Sequence, residues 1–99
     1  MRKIKQYVDS IDDEVHGAEE YAEKYVECKA KGNIPYATRY KEMANDELKH
    51  AMYLHEMVSK EIDDISKVYT APVEMQEAWE KSHKTYVEKV AWIRQMLSL

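Results

Sequence analysis

The stretch 46–51, with the sequence DELKHA, contains two side chains that can bind a metal ion. Glu47 and His50 lie three residues apart, so on a helix they project from one face. That face is largely apolar, and its positions are separated by three or four residues: Tyr40, Met43, Glu47, His50, Leu54, Met57, Glu61, Ile65 and Val68. Burying a carboxylate without a partner costs several kcal/mol, so something must compensate Glu47. A metal ion is the leading candidate.

Glu14 interrupts the apolar face of the preceding helix in the same way. The positions of that face are Ile4, Tyr7, Ile11, Glu14, Ala18, Tyr21, Tyr25 and Cys28. Glu14 lies 18 residues before Gly32, which marks the turn between the two helices. Glu47 and His50 lie 15 and 18 residues after that glycine. In an antiparallel hairpin, the three side chains are therefore predicted to lie within about one helical turn of the same height.

Two buried carboxylates and one imidazole make up half of a known ligand set. Di-iron carboxylate bundles use a Glu from each of two helices and a Glu-x-x-His from each of the other two. A two-fold dimer of this hairpin would supply that full set. Its ligands are mostly carboxylate oxygens with a minority of imidazole nitrogens, and such a set suits iron or manganese better than zinc. The alternative is a metal-free polar cluster, in which Glu47 is hydrogen-bonded to His50 and to a tyrosine hydroxyl.

A second Glu-x-x-His motif, formed by Glu80 and His83, occurs in the third predicted helix. With a tight turn before this helix, His83 would lie about eight residues, or roughly 12 Å, from the level of His50. We therefore expect Glu80 to be solvated and His83 to be partly buried and hydrogen-bonded. The alternative is an accessory metal site, or one through which metal enters, formed by these two residues with His55 and Glu56.

The helices that carry these residues are bounded by glycine, asparagine and proline. The sequence predicts one helical domain over residues 1–99, with helices at about residues 3–30, 34–68 and 72–97. Gly32 suits the left-handed residue that ends a helix. Asn33 is a favourable N-cap for the second helix, with Pro35 in its first turn. Pro72 begins the third helix. Short connections between consecutive helices predict antiparallel neighbours.

Composition excludes several classes of partner. The 99 residues suffice for one small domain with its own core. With 15 basic and 19 acidic side chains and no basic run, nucleic acid and anionic membranes are not expected as partners. No apolar run approaches membrane-spanning length, and residues 1–6 lack the apolar core of a signal peptide, so we expect a cytoplasmic protein. Cys28, the only cysteine, is predicted to be a buried, inert thiol.

Glu14 and Tyr21, seven residues apart, are followed by ELKHA at residues 47–51. This pattern resembles the first half of the rubrerythrin and ferritin-like bundle over roughly residues 11–58. It is most similar to the encapsulated ferritins, half-length chains that complete a di-iron site by dimerisation. The resemblance implies that Glu14 is a terminal iron ligand, Glu47 a bridging carboxylate and His50 the nitrogen donor of a ferroxidase centre. It also implies that Tyr21 is a hydrogen-bonding residue beside the ligands.

The chain departs from those families in two places. The third helix is longer than in the encapsulated ferritins, and residues 94–99 form no obvious shell-targeting tail, so neither recruitment to a shell protein nor bulk iron storage is expected. A single cysteine cannot form the four-cysteine rubredoxin module that delivers electrons in rubrerythrins. Peroxide reduction of the rubrerythrin type is therefore disfavoured.

These observations predict an all-α, antiparallel three-helix chain of ferritin-like type whose four-helix di-iron core is completed by dimerisation. The resemblance implies a homodimer or an assembly of dimers that binds Fe(II) and oxidises it with dioxygen or peroxide, in iron handling or oxidative-stress protection. Iron would lie between the two chains, with manganese as the alternative metal. The alternative function is a non-enzymatic helical assembly module, for example a phage or structural component, with a metal-free polar dimer seam.

Overall fold

The computed structural model describes residues 2–68, 70 and 72–99, apart from the side chains of residues 2 and 3. The chain folds into three helices: α1 (Arg2–Ala30), α2 (Ile34–Ser66) and α3 (Val73–Leu97). These described residues contain no strand, so the prediction of an all-α chain is confirmed. α2 ends two residues earlier than predicted, and α1 and α3 begin within one residue of their predicted positions.

The turn between α1 and α2 is built from the residues that the sequence indicated. Gly32 adopts a φ of +78°, which is the left-handed conformation of a helix C-cap. The Asn33 side chain accepts a hydrogen bond from the backbone N–H of Tyr36 at 3.4 Å, and Pro35 lies in the first turn of α2. This local geometry reverses the chain and makes α1 and α2 an antiparallel hairpin.

Alanines line the contact between the two helices of this hairpin. Ala18 and Ala22 of α1 and Ala44 and Ala51 of α2 are all fully buried. The distance between packed helices depends on the side chains at the contact, so alanines allow a close approach. Polar side chains that flank these alanines on α1 and α2 are consequently brought close to one another.

α3 runs antiparallel to α2 and parallel to α1, and it packs mainly against α1. Its buried residues are at its C-terminal end: Ile93, Met96 and Leu97. Further toward its N-terminus, the Lys89 ammonium group forms an ion pair with Glu19 of α1 at 3.1 Å. The resulting molecule is a rod of 55 × 17 × 17 Å. Within the described part of the chain, none of the helices combines the length and the apolar character needed to cross a membrane.

Candidate metal centre

Glu14 of α1 and Glu47 and His50 of α2 converge, as their predicted heights require. Each offers one ligand atom, and the three atoms lie within 4.8 Å of one another. Oε2 of Glu14 lies 3.5 Å from Nδ1 of His50. The antiparallel pairing around Gly32 therefore brings all three residues of the predicted centre together at one height.

Gly17 makes room for this cluster, a role that the sequence analysis missed. A Cβ atom at this position would lie 3.3 Å from Oε2 of Glu47, closer than an ordinary van der Waals contact. Glycine inside a helix lowers helix propensity by about 1 kcal/mol relative to alanine, so its presence calls for a packing reason. That reason was available in the sequence, because Gly17 lies one helical turn after Glu14.

Oε2 of Glu14 is buried from water and has no hydrogen-bond partner. An ionised carboxylate can only accept hydrogen bonds, and a buried acceptor without a donor is destabilising. A bound cation would satisfy this oxygen directly. Carboxylate oxygens with a minority of imidazole are also the donors that iron and manganese accept. The residues present thus fit half of a di-metal centre.

The neighbouring Glu14 raises the pKa of Glu47. A hydrogen bond with Glu14, then burial and then repulsion from Glu14 raise the pKa of Glu47 from 4.5 to about 7, while His50 acts in the opposite direction. Only the protonated form of Glu47 can donate that hydrogen bond. Near neutral pH, a proton and a metal ion would therefore compete for this pair of carboxylates.

The cluster faces away from α3. On α1, Glu19 contacts Lys89 of α3, and Glu14 lies five positions earlier, about 140° around the helix. On α2, His55 contacts α3, and His50 likewise lies five positions earlier. The His50 side chain is 55% exposed, whereas that of Glu14 is 29% exposed. One side of the hairpin is therefore covered by α3, and the cluster opens onto the other.

Two rows of residues spaced by seven run along this open side, and each row includes one residue of the cluster. The row on α1 is half-buried and consists of Tyr7, Glu14, Tyr21 and Cys28. The row on α2 is exposed and consists of Tyr36, Met43, His50 and Met57. We call these eight residues the open face. A seven-residue repeat is the spacing at which a helix presents side chains to a partner helix.

The Cys28 thiol, expected to be buried, is half-buried here.

Tyr21 lies on the open face, two helical turns beyond Glu14. Its ring packs near that of Tyr40 of α2, with centroids 6.3 Å apart and planes tilted by 30°. This contact joins the two helices beside the cluster. A hydrogen-bonding role for Tyr21 toward the ligands stays a prediction.

The accessory residues lie elsewhere on the molecule. Nε2 of His55 and Nδ1 of His83 are 2.8 Å apart, and Glu80 and Glu56 are exposed. His83 is hydrogen-bonded as expected but exposed rather than partly buried. His83 lies level with His55, five positions after His50, rather than with a residue eight positions after it. Burial and the neighbouring His83 lower the pKa of His55, and Glu56 opposes this.

Comparisons of the chain with protein-family models, with curated proteins and with solved structures found no match.

Proposed function

We propose that this chain is one half of a ferritin-like di-metal protein, that a second copy completes it, and that the dimer binds Fe(II) and oxidises it with dioxygen or peroxide. The observation that carries the proposal is the convergence of Glu14, Glu47 and His50 around a buried carboxylate oxygen without a hydrogen-bond partner. All three side chains belong to the donor types that a di-iron carboxylate centre uses.

A cation explains this arrangement better than a self-contained polar cluster does. In a satisfied cluster, every buried acceptor has a donor. Here Oε2 of Glu14 has no hydrogen-bond partner, and Nδ1 of His50 lies 3.5 Å from it. A second carboxylate at the same height adds repulsion, which a divalent cation would relieve.

The open face supports a second copy of this chain as the partner. One hairpin offers two carboxylates and one imidazole, and a two-fold axis beside His50 would double them to the full di-iron ligand set. Tyr36, Met43 and Met57 on the same row are 63%, 39% and 48% exposed, so an interface along this row would bury their apolar surface together with His50. Because α3 covers the opposite side of the hairpin, it would not obstruct this pairing.

Each residue would have a separable task in such a dimer. Glu14 and Glu47 would hold the two cations at a fixed spacing and neutralise their charge, and His50 would supply the nitrogen donor at the mouth of the centre. The bound pair of metal ions would supply the redox chemistry, with Fe(II) as the electron donor and dioxygen or peroxide as the acceptor. The absence of a side chain at Gly17 would leave room for the Glu47 carboxylate.

One observation favours the alternative, a non-enzymatic helical assembly module. The pKa of Glu47, raised to about 7 by its hydrogen bond with Glu14, allows one proton to hold the two carboxyls together without a metal. In that case the open face would still join two chains, but through a metal-free polar seam.

Metal analysis of the protein purified without a chelator tests the proposal. We expect about two iron or manganese ions per dimer, and loss of that metal in Glu47→Gln and His50→Ala. Glu23→Gln, at an exposed position of α1, is the matched control and should keep the metal. Unchanged metal content in either ligand variant, or a metal-free native dimer that stays metal-free after incubation with Fe(II), would favour the assembly module.

A further inference from the structure

A pair of histidines joins α2 to α3 on the side of the hairpin opposite the metal centre. We call His55 and His83 the histidine clip. Their facing nitrogens, Nε2 of His55 and Nδ1 of His83, are 2.8 Å apart. His55 lies five residues after His50, about 7 Å further along α2 and about 140° around it. The clip is therefore separate from the proposed iron centre.

Aromatic side chains of α3 hold the clip in place. The Tyr86 ring stacks on the His55 ring with centroids 4.5 Å apart and planes 12° from parallel. The Trp79 ring lies 5.3 Å from the same imidazole. His83, by contrast, is exposed at the surface. One imidazole is thus fixed by packing, and the other gives solvent access to the pair.

Two imidazole nitrogens facing each other at this distance hold one proton between them, and a metal ion can take its place. Zinc–imidazole bonds of about 2.0–2.1 Å at a tetrahedral angle separate two nitrogens by about 3.3 Å. The two rings would need to move apart by only about half an ångström to reach that separation. Glu56 supplies negative charge nearby, since it acts to raise the pKa values of both His55 and Tyr86.

We propose that the histidine clip binds a divalent transition-metal ion of the class that prefers imidazole, such as Zn²⁺, Ni²⁺ or Cu²⁺. Among the residues that the structure describes, neither Glu56 nor Glu80 brings an oxygen close enough to complete a group of three ligands. Water therefore fills the remaining coordination positions. Because α3 is deeply buried only near its C-terminal end, the metal ion ties its N-terminal half to α2.

The test uses the full chain carrying His50→Gln, which removes the nitrogen donor of the proposed iron centre, with Zn²⁺ alone as the probe. We expect this protein to bind one Zn²⁺ per chain and to unfold at a higher temperature when Zn²⁺ is present. Adding His83→Gln should lower the affinity for Zn²⁺ at least about tenfold, since even the loss of an outer-shell partner has effects of that size. Adding His16→Gln instead, at an exposed histidine paired with Glu20, should leave the affinity unchanged.

A spectroscopic measurement reports the ligands directly. With Cu²⁺ as the probe, electron paramagnetic resonance should show coupling to two imidazole nitrogens in the His50→Gln protein and to fewer once His83→Gln is added. Zn²⁺ affinity that is unchanged by His83→Gln, or that disappears with His50→Gln alone, would overturn the proposal. The proposed function stands or falls separately, because iron binding by the native sequence should persist in His83→Gln.

Discussion

At the scale of single residues, Glu47 links stability to pH. Its pKa rises from 4.5 to about 7 on folding, because of its hydrogen bond with Glu14, burial and repulsion from Glu14. Between those values Glu47 holds its proton more strongly in the folded chain than in the unfolded chain, so the stability that Glu47 contributes to the metal-free protein should be lost as the pH rises through this interval. Glu47→Gln removes the titrating group and should remove this loss. Urea unfolding in the presence of a chelator at about pH 5 and about pH 8 measures both proteins.

The titration of His55 changes stability with pH in the opposite direction to that of Glu47. The effect of Glu47 must therefore be measured as a difference in pH slope between variants that all retain His55. Its lowered pKa means that stability falls as the pH falls below the unfolded value of 6.5. Both Glu47→Gln and the control Glu23→Gln retain His55, and only the former should change the pH slope. Equal pH slopes in the native protein and in Glu47→Gln would show that folding does not raise the pKa of Glu47.

A substitution at Gly17 should change stability and metal affinity in opposite directions. Gly17→Ala should raise the free energy of unfolding of the metal-free protein by up to about 1 kcal/mol, because alanine is the better helix former. The added Cβ would lie 3.3 Å from Oε2 of Glu47, and the flexible end of that side chain can move by the few tenths of an ångström required. We expect Fe(II) affinity to fall as this ligand is displaced. Titration with Fe(II) without oxygen measures the effect, and unchanged affinity would argue against a ligand role for Glu47.

At the scale of elements, Gly32 should be the most demanding position of the α1–α2 turn. Its φ of +78° is a conformation that costs other L-residues about 1–2 kcal/mol. We therefore expect Gly32→Ala to lower the free energy of unfolding by about that amount. Gly32→Asn should recover much of it, because asparagine tolerates this conformation better. Urea unfolding of the three proteins provides the measurement, and an Ala variant as stable as the native protein would contradict the prediction.

Helix ends were predictable because they depend on local chemistry. Gly32, Asn33 and Pro72 each act within a few residues of their own position, and the heights of Glu14 and His50 follow from counting along an antiparallel hairpin. The side of the hairpin that α3 covers was not predictable. The spacing of apolar residues in α3 defines one apolar face, but that face could pack against either side of the hairpin. The side that α3 occupies is fixed by contacts between residues far apart in the sequence, such as the ion pair of Glu19 with Lys89. The open face became visible only once that choice was known.

At the scale of the whole molecule, the two long sides of the rod differ in what they can do. α3 covers one side, where the histidine clip joins it to α2, whereas the other side presents the open face. The row on α2 has His50 at its centre, with Met43 seven residues before it and Met57 seven residues after it. An interface along this row would enclose the proposed metal ligands, so metal binding and dimerisation should be coupled.

Met57→Glu tests that coupling. Met57 is 48% exposed and lies about 10 Å along α2 from His50, so a carboxylate there should not disturb the folded chain or touch the ligands. In a dimer that uses the open face, it would bury a charge in an apolar seam. We expect sedimentation to show a monomer and metal analysis to show loss of bound iron. Met52→Glu, the same substitution at a 40% exposed position about 160° around α2 from His50, should leave both unchanged. A Met57→Glu protein that remains a fully loaded dimer would mean that the chains pair through another surface.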